Sequence, residues 1–126
     1  MKKTFVYLVA AAVLAATPGM AAAHGSTKPQ HGGVVQMTGE TLFEIVREPT
    51  GVALYVVDED EPINAAAMTA KLNIAVSGKK SEVMMVPGKG NRFFAKGLKL
   101  AKGANVGVQV VNKATRARYG TTFLIK

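Results

Sequence analysis

Lys71-Leu72-Asn73-Ile74-Ala75-Val76-Ser77-Gly78 is the stretch that decides the fold class. Leu72, Ile74 and Val76 alternate with Lys71, Asn73 and Ser77, and a period of two belongs to a strand with one buried face and one wet one. Ser77-Gly78 follows with residues suited to a tight turn. The same alternation returns at Val106, Val108 and Val110 against Gly107 and Gln109. Working outward, short runs rich in valine, isoleucine, leucine and phenylalanine, each bounded by turn residues, predict strands near 33–37, 41–48, 51–57, 71–77, 80–86, 92–96, 105–112 and 117–125. Glu48-Pro49-Thr50-Gly51, Pro87-Gly88 and Lys102-Gly103 supply further turns: proline presets the second position of the first, and glycine closes it. Ala65 to Ala70 favours at most one turn of helix. The expectation is an all-β chain: an antiparallel, immunoglobulin-like β-sandwich of seven or eight short strands, following a cleaved signal peptide.

That signal occupies residues 1–23. Lys2 and Lys3 precede an apolar run from Phe5 to Ala16, then the Thr17-Pro18-Gly19 break, then Ala21-Ala22-Ala23, a small-residue cleavage site. The expected destination is the periplasm. Residues 24–32 are polar and lack periodicity, which reads as a flexible leader, and 33–126 form the sandwich domain.

Composition narrows the function. Cleavage after Ala23 leaves 103 of the 126 residues, enough for one domain with one modest core. The absence of cysteine excludes disulfides and thiolate metal sites. No apolar run beyond the signal approaches the ~20 residues of a membrane helix, so the mature chain is not expected to be an integral membrane protein. Without Lys2 and Lys3, 14 basic residues face eight acidic ones, a net charge of about +6. Export makes nucleic acid an unsuitable partner for that charge, and anionic lipid headgroups, envelope polysaccharide or an acidic protein face suit it better.

His24 and His31 are the candidate metal ligands. A mature terminus at His24 joins a free α-amino group to an imidazole, a chelating pair for Cu(II). Cleavage after Ala21 instead exposes Ala22-Ala23-His24, whose amine, two backbone amides and imidazole surround Cu(II) or Ni(II) in a plane. His31, seven residues on, can fold back as a further ligand. Of the mature methionines Met37, Met68, Met84 and Met85, the last two are neighbours on one strand and point to opposite faces, which suits core filling better than a shared Cu(I) site. Asp58-Glu59-Asp60-Glu61 lacks the ligand spacing of a calcium loop and reads as a solvated turn. There is no nucleophile elbow, zinc-protease motif or phosphate loop, so no catalytic residue is assigned and the chain reads as non-enzymatic.

His31-Gly32-Gly33-Val34-Val35, Leu42-Phe43-Glu44-Ile45-Val46 and Val52-Ala53-Leu54-Tyr55-Val56-Val57-Asp58 before Pro62 together resemble small exported proteins of heavy-metal resistance systems. They are also similar to the β-sandwich module near the N-terminus of periplasmic adaptor subunits of heavy-metal efflux pumps. His24, the signal and the expected fold resemble periplasmic copper carriers with a mature N-terminal histidine. Those carriers complete their site with an acidic residue and a further histidine; here His31 is the further histidine, and the sequence assigns no acidic ligand. The resemblance implies a non-enzymatic periplasmic binding or carrier protein of heavy-metal homeostasis or resistance, with copper the candidate metal. The alternative is a metal-independent module docking on an efflux adaptor or another envelope protein.

Overall fold

The computed structural model describes residues 27–126; the signal segment and His24 lie outside them. Nine antiparallel strands follow in chain order: β1 (Val34–Thr38), β2 (Thr41–Glu48), β3 (Gly51–Asp58), the two-residue β4 (Glu61–Pro62), β5 (Met68–Val76), β6 (Lys79–Pro87), β7 (Arg92–Lys96), β8 (Asn105–Asn112) and β9 (Arg118–Leu124). The expected antiparallel β-sandwich is present, with eight strands of five residues or more and bounds close to those read from the pattern.

One layer holds β1-β2-β3-β7, with β4 on β3; the other holds β6-β5-β8-β9. β6 belongs to both, because Val86 and Pro87 pair with Phe94 and Phe93 of β7 while its earlier residues pair with β5. On the opposite side the Thr38 hydroxyl donates to that of Thr121 at 2.8 Å, linking β1 to β9. The two layers thus form a nearly closed barrel.

Alternate residues point inward and interlock. Phe43, Leu54, Phe93, Leu72, Val106, Val110 and Phe123 are fully buried in the core between the layers. Met85 lies in the core at 4% exposure and Met84 outside at 60%, as strand alternation requires. Met68 is also buried.

The segment Ala65 to Ala70 splits. Ala65–Ala67 forms a 3₁₀ turn capped by the Asn64 side chain. Met68, Thr69 and Ala70 then join β5 and pair with Asn112, Val111 and Val110 of β8. β5 therefore starts earlier than the expected 71, because burial of Met68 and Ala70 outweighs the weak helical preference of this short alanine-rich run.

Asp58-Glu59-Asp60-Glu61 is the tight β3–β4 turn. Glu59 and Asp60 both adopt positive φ, the conformation that two-residue hairpins need. The acidic run is an exposed turn, as expected.

Candidate functional site

β2 and β3 are apolar on both faces, and this double burial explains the site. Phe43 and Ile45 face the core, while Leu42, Glu44 and Val46 face the outside of the first layer. Glu44 is nevertheless buried, because residues 30–33 cross over it. Register aligns Val35, Glu44, Tyr55 and Arg92 in one row across β1, β2, β3 and β7.

Glu44 fastens this crossing. Its Oε1 accepts the backbone N–H of Gln30 at 3.0 Å and lies 3.1 Å from His31 Nδ1; its Oε2 accepts the N–H groups of His31 and Gly33, each at 2.9 Å. Four partners fill the lone-pair sites of an ionised carboxylate. Burial pushes the Glu44 carboxyl upward, but the bonds from Gly33, the His31 ring, His31 N–H and Gln30 together outweigh it and hold the group below the usual glutamate range.

Gly32 and Gly33 permit the approach. Gly32 has φ +74°, and a Cβ at Gly33 would run into the Ile45 carbonyl oxygen and the Val46 side chain. The bend expected of these glycines is there. The C-terminal part of the expected flexible leader is thus tied to the sheet, since Glu44 accepts the backbone N–H groups of Gln30 and His31 within it and of Gly33 just after it.

His31 stacks on Tyr55 with ring centroids 3.5 Å apart and planes 5° from parallel. Because ionised Glu44 can only accept, the bond to Nδ1 places a proton there, and the lone pair of the neutral ring then lies on Nε2. The side chain of His31 is 41% exposed, that of Glu44 4%. The result is an imidazole fixed in tautomer and plane, backed by a shielded carboxylate, the arrangement that commonly supports a metal-bound histidine.

Beyond Tyr55, Arg92 donates to both Glu48 carboxylate oxygens, at 2.8 and 3.1 Å, and to the Tyr55 hydroxyl at 2.6 Å. Its guanidinium also lies 4.9 Å from the Phe94 ring centre. The Glu48 bond raises the Arg92 pKa further above its ordinary value and lowers that of Glu48. Arg92 is a neutralised brace that orients Tyr55, and hence the ring stacked on it.

Of the two candidate ligands, His31 is placed in this row and His24 lies outside the described residues. Glu44, Tyr55 and Arg92 were not singled out by sequence. One signal was available: an acid inside Leu42-Phe43-Glu44-Ile45-Val46, apolar on both faces, requires partners from a covering segment. Among the described residues, no group of three or more histidine, cysteine or acidic side chains is placed to hold a metal ion, and no helix is long and apolar enough to cross a membrane.

No family model matches the chain, and no curated protein does. Among solved structures, the chain is similar to the crystal structure of the Br derivative of BhCBM56, with 13% identity and a TM-score of 0.45, covering 73% of this chain and 99% of that one. A likeness this distant carries no functional argument.

The Glu44 latch is pH-dependent with a definite sign. Its folded-state pKa is lowered, so its contribution to stability is fully present above the ordinary glutamate value of about 4.3 and is lost as pH falls through the lowered value. Urea midpoints measured from pH 6 down to pH 3 are expected to fall more steeply for the native chain than for Glu44→Ala; parallel curves would remove Glu44 as the source.

Proposed function

We propose that this chain is a non-enzymatic, exported binding protein of copper homeostasis, holding Cu(II) through His31 and donors of the N-terminal segment, His24 first among them. The observation that carries this reading is the fixed His31 ring. Nδ1 is committed to Glu44, Nε2 makes no hydrogen bond among the described residues, and the side chain is partly open to solvent. A neutral imidazole nitrogen suits Cu(II), and a histidine whose other nitrogen is held by a carboxylate loses less orientational freedom on binding. His31 supplies one ligand, so the site needs further donors. His24 is seven residues earlier in the chain, and a terminal amine there adds a second nitrogen.

The test is a Cu(II) titration of the exported protein, after intact mass has established its first residue. One copper per chain is expected, with His31→Ala and His24→Ala each weakening binding at least tenfold while circular dichroism stays unchanged. Equal affinity in His31→Ala sinks the proposal.

A second reading rests on a different surface. Met84 and Val86 point outward side by side on β6, at 60% and 68% exposure, and exposed apolar neighbours suit protein contact. A metal-independent module docking on an efflux adaptor or other envelope protein uses this patch. It predicts that Met84→Ser with Val86→Ser abolishes partner capture while the histidine variants do not.

A further inference from the structure

β6 parts from β7 after two residue pairs: Val86 and Pro87 meet Phe94 and Phe93, and residues 79–85 pair only with β5. Two independent contacts fix which main-chain groups face the empty side. The Gly88 N–H donates to the Arg92 carbonyl at 2.7 Å, continuing the β6–β7 ladder, and alternation along an antiparallel strand then aims the groups of Val86, Met84, Glu82 and Lys80 toward the β7 side. At the other end Val76 and Lys79 close the two-residue Ser77-Gly78 turn, whose positive φ values suit a tight hairpin, so Lys79, Ser81, Val83 and Met85 bond to β5. Lys80, Glu82 and Met84 therefore present N–H and C=O groups that no described residue meets, and all three are exposed. Ser81 is exposed as well, although it shares the inward parity of its buried partner Ile74. The layers have separated here, and water reaches the edge.

An open edge is a template for another strand, and the charges on this one select the strand. When two copies of β6 pair antiparallel about a two-fold axis, few registers align the outward groups of both. Centring on Lys80 or on Glu82 sets like charges opposite each other, which destabilises the pairing. Centring on Val83 runs Lys80 into Val86, whose main chain already belongs to the β7 ladder. Centring on Ser81 sets Lys80 opposite Glu82 of the second copy and Glu82 opposite its Lys80, and each pair exchanges two main-chain hydrogen bonds. Lys80 has no carboxylate partner among the described residues, and Glu82 lies 3.5 Å from Lys71, so it would stand between two ammonium groups.

We propose that β6 is the interface of a two-fold homodimer, in which the β6-β5-β8-β9 layers of two copies join as one continuous sheet in the register centred on Ser81. A strand of another protein has to bring an acid for Lys80 and a base for Glu82; a second copy does so by symmetry. The other open seam, where β1 and β9 part to leave a cleft, is closed at one end by the Thr38–Thr121 bond. The contact is small and each chain carries about +6, so the dimer is expected at high protein concentration. The interface is separate from the Glu44–His31 row and stands whether or not copper binds.

Sedimentation equilibrium of the full mature chain, from micromolar to millimolar concentration, tests it, with a monomer–dimer equilibrium expected. Lys80→Glu or Glu82→Lys alone sets like charges opposite each other twice, and each is expected to weaken the dimer at least tenfold. The two together exchange the partners and are expected to restore the dimer to within about threefold of the native chain; a loss caused by misfolding would not be restored. In a mixture of isotopically labelled and unlabelled chains, a nuclear Overhauser contact is expected between the Ser81 Hα atoms of the two copies. A chain that stays monomeric at millimolar concentration, a dimer indifferent to the charge exchange, or association shifts on β1 and β9 in place of β6 overturns the proposal.

Discussion

Glu44→Ala is expected to free residues 30–33 from the sheet and to lower global stability by about 2–4 kcal/mol. Bonds to an ionised group contribute roughly 1.5–3 kcal/mol each, and Glu44 accepts three from backbone N–H groups besides its contact with the His31 ring. The loss is smaller than their sum because a released leader recovers hydrogen bonds to water. Glu44→Gln is expected to be nearly as damaging: it preserves shape, but its amide nitrogen points a donor at groups that themselves donate. Urea unfolding reads the stability, and hydrogen exchange at Gln30, His31 and Gly33 reads the release. Unchanged exchange there would show that something other than Glu44 holds the segment. The same variant bears on copper, because an unfixed His31 ring pays more orientational entropy to bind.

Phe93→Ala is the second large effect. Phe93 is completely buried on β7, within the core cluster that spans both layers, and its strand pairs with β3 on one side and β6 on the other. Truncating a buried phenylalanine costs about 3–5 kcal/mol in lost burial and residual cavity. A domain of this size is stable by only about 5–15 kcal/mol, so thermal unfolding is expected to fall by tens of degrees or the variant to accumulate poorly. Val86→Ala, on the exposed face of neighbouring β6, is expected to change stability by less than about 0.5 kcal/mol. Thermal denaturation of the two side by side checks the contrast. Comparable losses would mean that Val86 is covered in the isolated chain, which would remove it from the docking patch.

These two residues were not equally legible. Phe93 sits in Arg92-Phe93-Phe94-Ala95-Lys96, flanked by turn residues, and reads as a core-facing position of a short strand. Glu44 sits in an equally clear strand, but parity assigns it to the outer face, where an acid normally meets water. Only its apolar outer-face neighbours Leu42 and Val46 hinted that this face was covered. His31 was singled out for its chemistry, while its carboxylate partner stayed hidden because the two are 13 residues apart and meet only where residues 30–33 cross over β2.

The residues by themselves determined most of the strands, their turns and, where alternation is clean as at Leu72, Ile74 and Val76, the inward face, because alternation, β-branching and turn chemistry act over a few positions. They also set the absence of cysteine chemistry and the cationic balance. Only tertiary structure decided that β6 joins both layers, that β1 and β9 part to leave a cleft, and that Glu44 closes on the leader. Those outcomes depend on which distant backbone groups and side chains meet, and the free energy of such meetings is set by burial and hydrogen-bond geometry that no local pattern encodes.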